Sequence, residues 1–218
     1  MFKIITIERE YGSGAAAIAQ KLAHRLNWSL WDQSLTQEIA DLANVDCSCV
    51  ERHNERLDSR LYRLGKVFWR GSYERAIPLD VNATFDADCM VDMVGKIIEK
   101  IAREGNAVIV GRGAPYFLRG RSDTLHVFLY APREEKIRRL LSAGQSESEA
   151  NELVDTIDRE RIAYVKHYFN ADWPTRSLYH LMMNTSLGDE NVIATILDTM
   201  RRLQSQGNPS FTEIRGVR

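Results

Sequence analysis

The sequence predicts a layered α/β fold built on a parallel sheet, on three observations. Short β-rich runs alternate with helical patterns along the chain, the order that strands joined by helical crossovers produce. Two of these runs, "NAVIV" at 106–110 and "TLHVFLY" at 124–130, are almost continuously apolar, as strands covered on both faces are. The first run opens into a glycine-bearing loop and a helix, "KIITIEREYGSGAAAIAQKLAHRL" from Lys3 to Leu26. In an open parallel sheet that layout offers helix N–H groups to a ligand at the carboxyl ends of the strands.

Each element has its own signal. "KIITI" is the first strand, and Ile18, Leu22 and Leu26 recur every four residues along the helix that follows. "SLWD", ending at Asp32, is the second strand, and "LYHLMMN" at 178–184 is the fifth. Helical patterns run from Asp88 to Arg103, from Pro132 to Leu141 with proline in the first turn, from Glu147 to Phe169 and from Glu190 to Leu203. Between the second and third strands, residues 33–105 form an excursion far longer than an ordinary crossover. Its centre, "RHNERLDSRLYRLGKVFWRGSYERA", sets Leu57, Leu61, Leu64 and Phe68 at helical spacing among arginines. It reads as an amphipathic helix with a solvated basic face, or as a cap that folds over a substrate. The tail "SQGNPSFTEIRGVR" is polar and expected to be loosely held.

Composition narrows the function classes. At 218 residues the chain suits a single domain, 1–218, carrying the insertion. Lys and Arg number 29 against 30 Asp and Glu, a formal charge of −1, so no global attraction to nucleic acid or anionic membrane is expected and an anion site must be local. No apolar run approaches the ~20 residues of a membrane span, and the first residues do not read as a signal peptide, so a cytoplasmic protein is expected. Cys47, Cys49 and Cys89 lack zinc-ligand spacing, and no metal site is expected from them. His126 and His180 stand singly in apolar runs and read as core or edge histidines rather than ligands. No Ser-His-Asp set or paired-carboxylate motif competes with the glycine loop.

In that loop Gly12, Ser13 and Gly14 precede Ala15, Ala16 and Ala17. Glycines let backbone approach a phosphate closely, and alanines start a helix without bulk. "GSGAAA" also fits G-x-G-x-x-A, with Asp32 20 residues beyond Gly12, as in a dinucleotide fold. Two features weigh against that alternative: four residues, Glu8 to Tyr11, separate "IITI" from Gly12, and the next apolar strand waits until 106. Arg9 lies within the loop, and Arg112 in "VGRGAP" follows the third strand at its carboxyl edge, a favoured place for function. Asp158 and Arg161, three apart in "DTIDRERIAYVK", share a helix face with Arg159 alongside. A surface ion pair is the plain alternative there. Asp32, at the end of the second strand, reads from the sequence as a helix cap for the residues that follow.

Across "ITIEREYGSGAAAIAQKLAHRL", "NAVIVGRGAPYFLRGRSDTLHVFLYAPREEKIRRL", "DRERIAYVKHYFNADW" and "LYHLMMNTSLG" the chain resembles the cytidylate kinase-like family of P-loop proteins, related to nucleoside monophosphate kinases. The resemblance implies a three-layer P-loop NTPase-type fold with five parallel strands in the order 2-3-1-4-5 and a helical insertion between strands 2 and 3. It implies ATP and Mg2+ as cofactors, and transfer of the γ-phosphoryl group to a nucleoside monophosphate, CMP or dCMP. By the same resemblance, Arg9, Gly12, Ser13, Gly14, Ala15 and Ala16 bind the cofactor, and Arg112 and Asp32 serve the acceptor. A lid at 144–175 brings Asp158, Arg159 and Arg161 to the phosphoryl group, and residues 33–105 cap the substrate. Small nucleotides are the expected partners.

One departure stands out. On the pattern G-x-x-x-x-G-K-[ST], Arg9 takes the first glycine, Ala15 the lysine and Ala16 the hydroxyl. That lysine neutralises the terminal phosphates and the hydroxyl helps to hold Mg2+. Either other cations replace the lysine, or the chain is a nucleotide-binding regulatory module with weakened chemistry. A nicotinamide oxidoreductase remains the third reading.

Overall fold

The computed structural model describes residues 1–32 and 87–205. In chain order these form β1 (Ile4–Arg9), α1 (Ala15–Leu26), β2 (Ser29–Trp31), α2 (Ala87–Glu104), β3 (Ala107–Val110), the one-turn α3 (Ala114–Phe117) and β4 (Thr124–Tyr130). Then follow α4 (Arg133–Ser142), α5 (Glu147–Phe169), β5 (Leu181–Asn184) and α6 (Asp189–Ser205). The basic, leucine-spaced stretch around 52–76, and most of the expected insertion, lie outside the described residues, as do Cys47, Cys49 and the tail from 206.

All strand pairs are parallel, and the sheet order is β2-β3-β1-β4-β5. The central β1 is buried throughout, which is why Ile4 to Ile7 are apolar apart from Thr6, whose hydroxyl is hydrogen-bonded to His126. On one face Ile5 and Ile7 pack with Ile18 and Leu22 of α1 and with Val192, Ile193 and Ile196 of α6. On the other, Ile4 and Ile109 pack with Val94, Ile97, Ile98 and Ile101 of α2 and with Tyr164 and Val165 of α5. These two apolar clusters bind three layers. A third, Tyr11, Leu140, Ala150, Val154 and Ile157, ties α4 and α5 to the loop after β1.

The sheet order is that of the P-loop NTPase-type fold. A dinucleotide fold sets its second strand beside its first, whereas β3 here stands between β1 and β2. β1 runs to Arg9, so two residues rather than four separate the strand from Gly12. Glu8 and Arg9 look like loop residues in the sequence, yet both are buried and Glu8↔Phe128 and Arg9↔Leu129 continue the ladder with β4. β5 is also shorter than expected, because a 3-10 turn at Arg176–Leu178 occupies its start. Among the described residues no helix is long and apolar enough to cross a membrane.

Candidate functional site

The loop after β1 turns on two glycines in the left-handed region, Gly12 at φ 72° and Gly14 at φ 77°. Residues with a Cβ adopt that conformation at a cost, so the sequence needs glycine there. Gly14 caps α1 with no side-chain hydrogen bond, and no acid occupies the first turn. The first N–H groups of α1, and the positive end of its dipole, are therefore presented to an anion. Ser13 Oγ is buried without a hydrogen-bond partner. The loop is gripped from outside: Ser13 O accepts from Thr185 Oγ1 at 2.7 Å and from the Arg139 guanidinium. Ala15 is 3% exposed and belongs to the apolar cluster under α1; Ala16 follows it, half-buried.

Three arginines converge at the carboxyl edge of β1 and β3. Arg9 is buried, with Nη1 3.5 Å from Glu8 Oε1. Its guanidinium fills the space a side chain at Gly111 would take, since a Cβ there would lie 1.8 Å from Arg9 Nη1. Arg161 Nη1 donates to Arg9 O at 2.7 Å. Arg112 is buried at φ 59°, a conformation unusual for a residue with a long side chain. Burial and then neighbouring Arg9 depress the Arg112 guanidinium to about 10, against the pull of Asp32. Arg9 is likewise lowered, by burial first and by Arg161 second. Asp32, 3% exposed, lies just past β2. Clustered, desolvated cations of this kind favour an anionic ligand, because it offsets their mutual repulsion and their lost hydration.

Side chains of α4 and α5 pack against the loop. Asp158 Oδ1 accepts from Tyr11 N at 2.9 Å and from Arg161 Nη1 at 2.9 Å. Lys136 Nζ lies 3.4 Å from Asp158 Oδ2 and 2.6 Å from Glu10 Oε2. Arg139, one turn along α4, bonds Thr185 Oγ1 at 2.9 Å as well as the loop carbonyl. Arg159 does not join them: it is exposed and its Nε donates back to Asp155 O at 3.0 Å. The structure thus gathers Arg9, Gly12, Ser13, Gly14, Ala15, Ala16, Asp32, Arg112, Asp158 and Arg161 into one region, and leaves Arg159 outside. Glu8, Lys136 and Arg139 were not anticipated. Lys136 and Arg139 are three apart in "REEKIRRL", a spacing that marks one helix face, and that was the available signal.

A profile of the cytidylate kinase-like family matches residues 4–187 of the 218. The chain belongs to that family. A cytidylate kinase from Methanosarcina mazei is 28% identical over 137 residues, covering 60% of this chain and 76% of its own. An uncharacterised protein from Eubacterium ventriosum shares the fold with a TM-score of 0.65 at 20% identity, over 91% of this chain and 98% of its own. A shikimate kinase from Bacteroides thetaiotaomicron does so with a TM-score of 0.51 at 15% identity, over 92% and 99%.

The residues of this cytidylate kinase-like chain fit a nucleotide phosphate better than they fit a metal ion. The glycine loop, the uncapped start of α1 and the buried Ser13 hydroxyl suit phosphate oxygens. At the usual magnesium-holding hydroxyl stands Ala16, and among the described residues no group of three or more His, Cys, Asp or Glu could hold a metal. Beside the arginines, Tyr116 stacks on Phe169 with centroids 4.7 Å apart and shares a 3.2 Å hydrogen bond with Thr175. Burial raises the Tyr116, Tyr164 and Tyr179 phenols, so this aromatic wall stays neutral.

Proposed function

We propose that this protein transfers the γ-phosphoryl group of ATP to a nucleoside monophosphate, with CMP or dCMP as acceptor. The observation that carries the reading is the meeting of a glycine phosphate loop with three buried arginines at one sheet edge. Such enzymes work almost wholly by positioning and charge stabilisation, which this arrangement supplies. The N–H groups from Gly12 to Ala16 hold the donor phosphates. Arg112 grips the acceptor phosphate, and Asp32 orients an acceptor hydroxyl. Arg161, with Asp158 beside it, serves the group in transfer, and Arg9 supplies charge beneath it. Mg2+, bound together with the nucleotide, would supply charge neutralisation at its phosphates. Segment 144–175 acts as a lid and 33–105 as the acceptor cap.

Ala15 and Ala16 favour one second reading, a nucleotide-binding regulatory module. One experiment separates the two: incubate the full chain with MgATP and each nucleoside monophosphate, follow diphosphate formation, and measure nucleotide binding in parallel. Diphosphate product with a cytidine monophosphate supports the kinase. Binding without product from any acceptor supports the module.

A further inference from the structure

The Asp158 carboxylate sits where three donors converge. One is a phosphate-loop backbone group, Tyr11 N–H at 2.9 Å; one is a guanidinium, Arg161 Nη1 at 2.9 Å; one is an ammonium, Lys136 Nζ at 3.4 Å. A loop N–H with a guanidinium and an ammonium is the donor set that recognises a phosphoryl oxygen. We propose that Lys136, Arg161 and the Tyr11 N–H form the subsite for the terminal phosphate of a nucleoside triphosphate, and that Asp158 is an internal competitor for it. This inference rests on the nucleotide-kinase reading and adds to it the cation that Ala15 cannot provide.

The position of Lys136 makes the substitution specific. Its backbone and Cβ lie against the phosphate loop, since a Cβ on Gly12 would be 3.1 Å from Lys136 Cβ. The stem is buried, with a side chain 9% exposed, and the ammonium reaches back to Glu10 at the loop entrance, 2.6 Å away. A charge that ordinarily comes from the first turn of the loop helix arrives instead from α4. Arg161 is equally fixed, bonded through Nη1 to the carbonyl of Arg9. Glu10 keeps Lys136 in place, so only one of the two acids facing the ammonium must leave for a phosphate to enter. Asp158 is that acid, because its carboxylate also caps the loop N–H. As a carboxylate it both mimics the phosphate and repels it, and its departure couples entry of the terminal phosphate to movement of α5 away from the loop.

The test compares MgATP with MgADP by calorimetry on the full chain, with tripolyphosphate as a base-free probe. Asp158→Asn keeps an oxygen for the Tyr11 N–H and removes the charge. It should tighten ATP about tenfold, the scale of one partly buried charge contact, and leave ADP nearly unmoved. Lys136→Gln should weaken ATP and tripolyphosphate about tenfold with little effect on ADP, and Lys136→Arg should recover most of the loss. Thermal melts establish that each variant is folded. If both variants leave the ATP-to-ADP affinity ratio at the wild-type value, or if Asp158→Asn weakens ATP as Lys136→Gln does, the subsite assignment is wrong while the kinase reading stands. Wild-type chain that binds neither nucleotide nor tripolyphosphate overturns both.

Discussion

At the scale of single residues, two positions carry consequences that can be measured. Gly14 holds φ 77°, and a Cβ there would meet Arg139 Nη1 at 3.0 Å. Gly14→Val must therefore take on left-handed strain of about 1–2 kcal/mol and push aside the arginine that grips Ser13. We expect a lower melting temperature and loss of nucleotide affinity; a variant that binds ATP as the wild type does would move the site elsewhere. His126 is the second position. Buried in β4 with Nδ1 2.7 Å from Thr6 Oγ1, it stacks on His180 at 5.3 Å, and burial, then His180, holds it at about 3. The unfolded chain takes up its proton near 6.5, the folded chain near 3. Well above pH 6.5 the group is neutral in both states and contributes no pH dependence. As pH falls from 6.5 toward 3, stability is lost by up to about 1.4 kcal/mol per pH unit. Urea melts at pH 7, 6 and 5 should show a shallower decline for His126→Asn than for the wild type. Equal slopes would mean that His126 is protonated in the folded protein.

The informative element is α5. Its start carries a capping box, in which Ser146 Oγ accepts from Glu149 N at 3.3 Å and Glu149 Oε2 accepts from Ser146 N at 3.4 Å. Ser146→Ala should lower stability by about 1 kcal/mol with little change in nucleotide affinity, because the cap is exposed and its hydrogen bonds run between Ser146 and Glu149. Further along, successive helical residues point ~100° apart, and that rotation separates Arg159 from Arg161. Arg159→Ala should leave turnover near wild type. Arg161→Ala should lower kcat, by on the order of 10³-fold if its charge acts on the group in transfer, whereas loss of Arg112 should mainly raise KM for the acceptor. Steady-state kinetics on the three variants check this, and equal effects at 159 and 161 would remove the role given to the buried face. Arg161→Lys serves as the folded control, since Arg161 also bonds the Arg9 carbonyl.

For the whole molecule, the sheet order decides which nucleotide is expected to bind. With β3 between β1 and β2, the loop after β1 lies at the same sheet edge as Arg112 and Asp32, an order that is not that of a dinucleotide fold. ATP and ADP should raise the melting temperature in proportion to ln(1 + [L]/Kd), and NAD and NADP should not. A shift with NAD alone would contradict the assignment of the loop.

The sequence by itself determined the alternation of strands and helices, the glycine loop with its missing lysine, and the placing of Arg112 past a buried strand. Each is a short-range pattern: apolar runs at 107–110 and 124–130, Gly12 and Gly14 where φ must be positive, a loop that begins where β3 ends. The length of β1 escaped it, because Glu8 and Arg9 read as loop until β4 is seen to pair with them. Only the tertiary structure decided which side chains of α4 and α5 meet the loop. Arg139 reaches Ser13 across 126 positions, and Asp158 reaches Tyr11 across 147. Contacts over such separations follow from how α4 and α5 pack on the loop through Tyr11, Leu140 and Ile157, and that packing leaves in the local sequence only a helical period, without the direction in which the helix is turned.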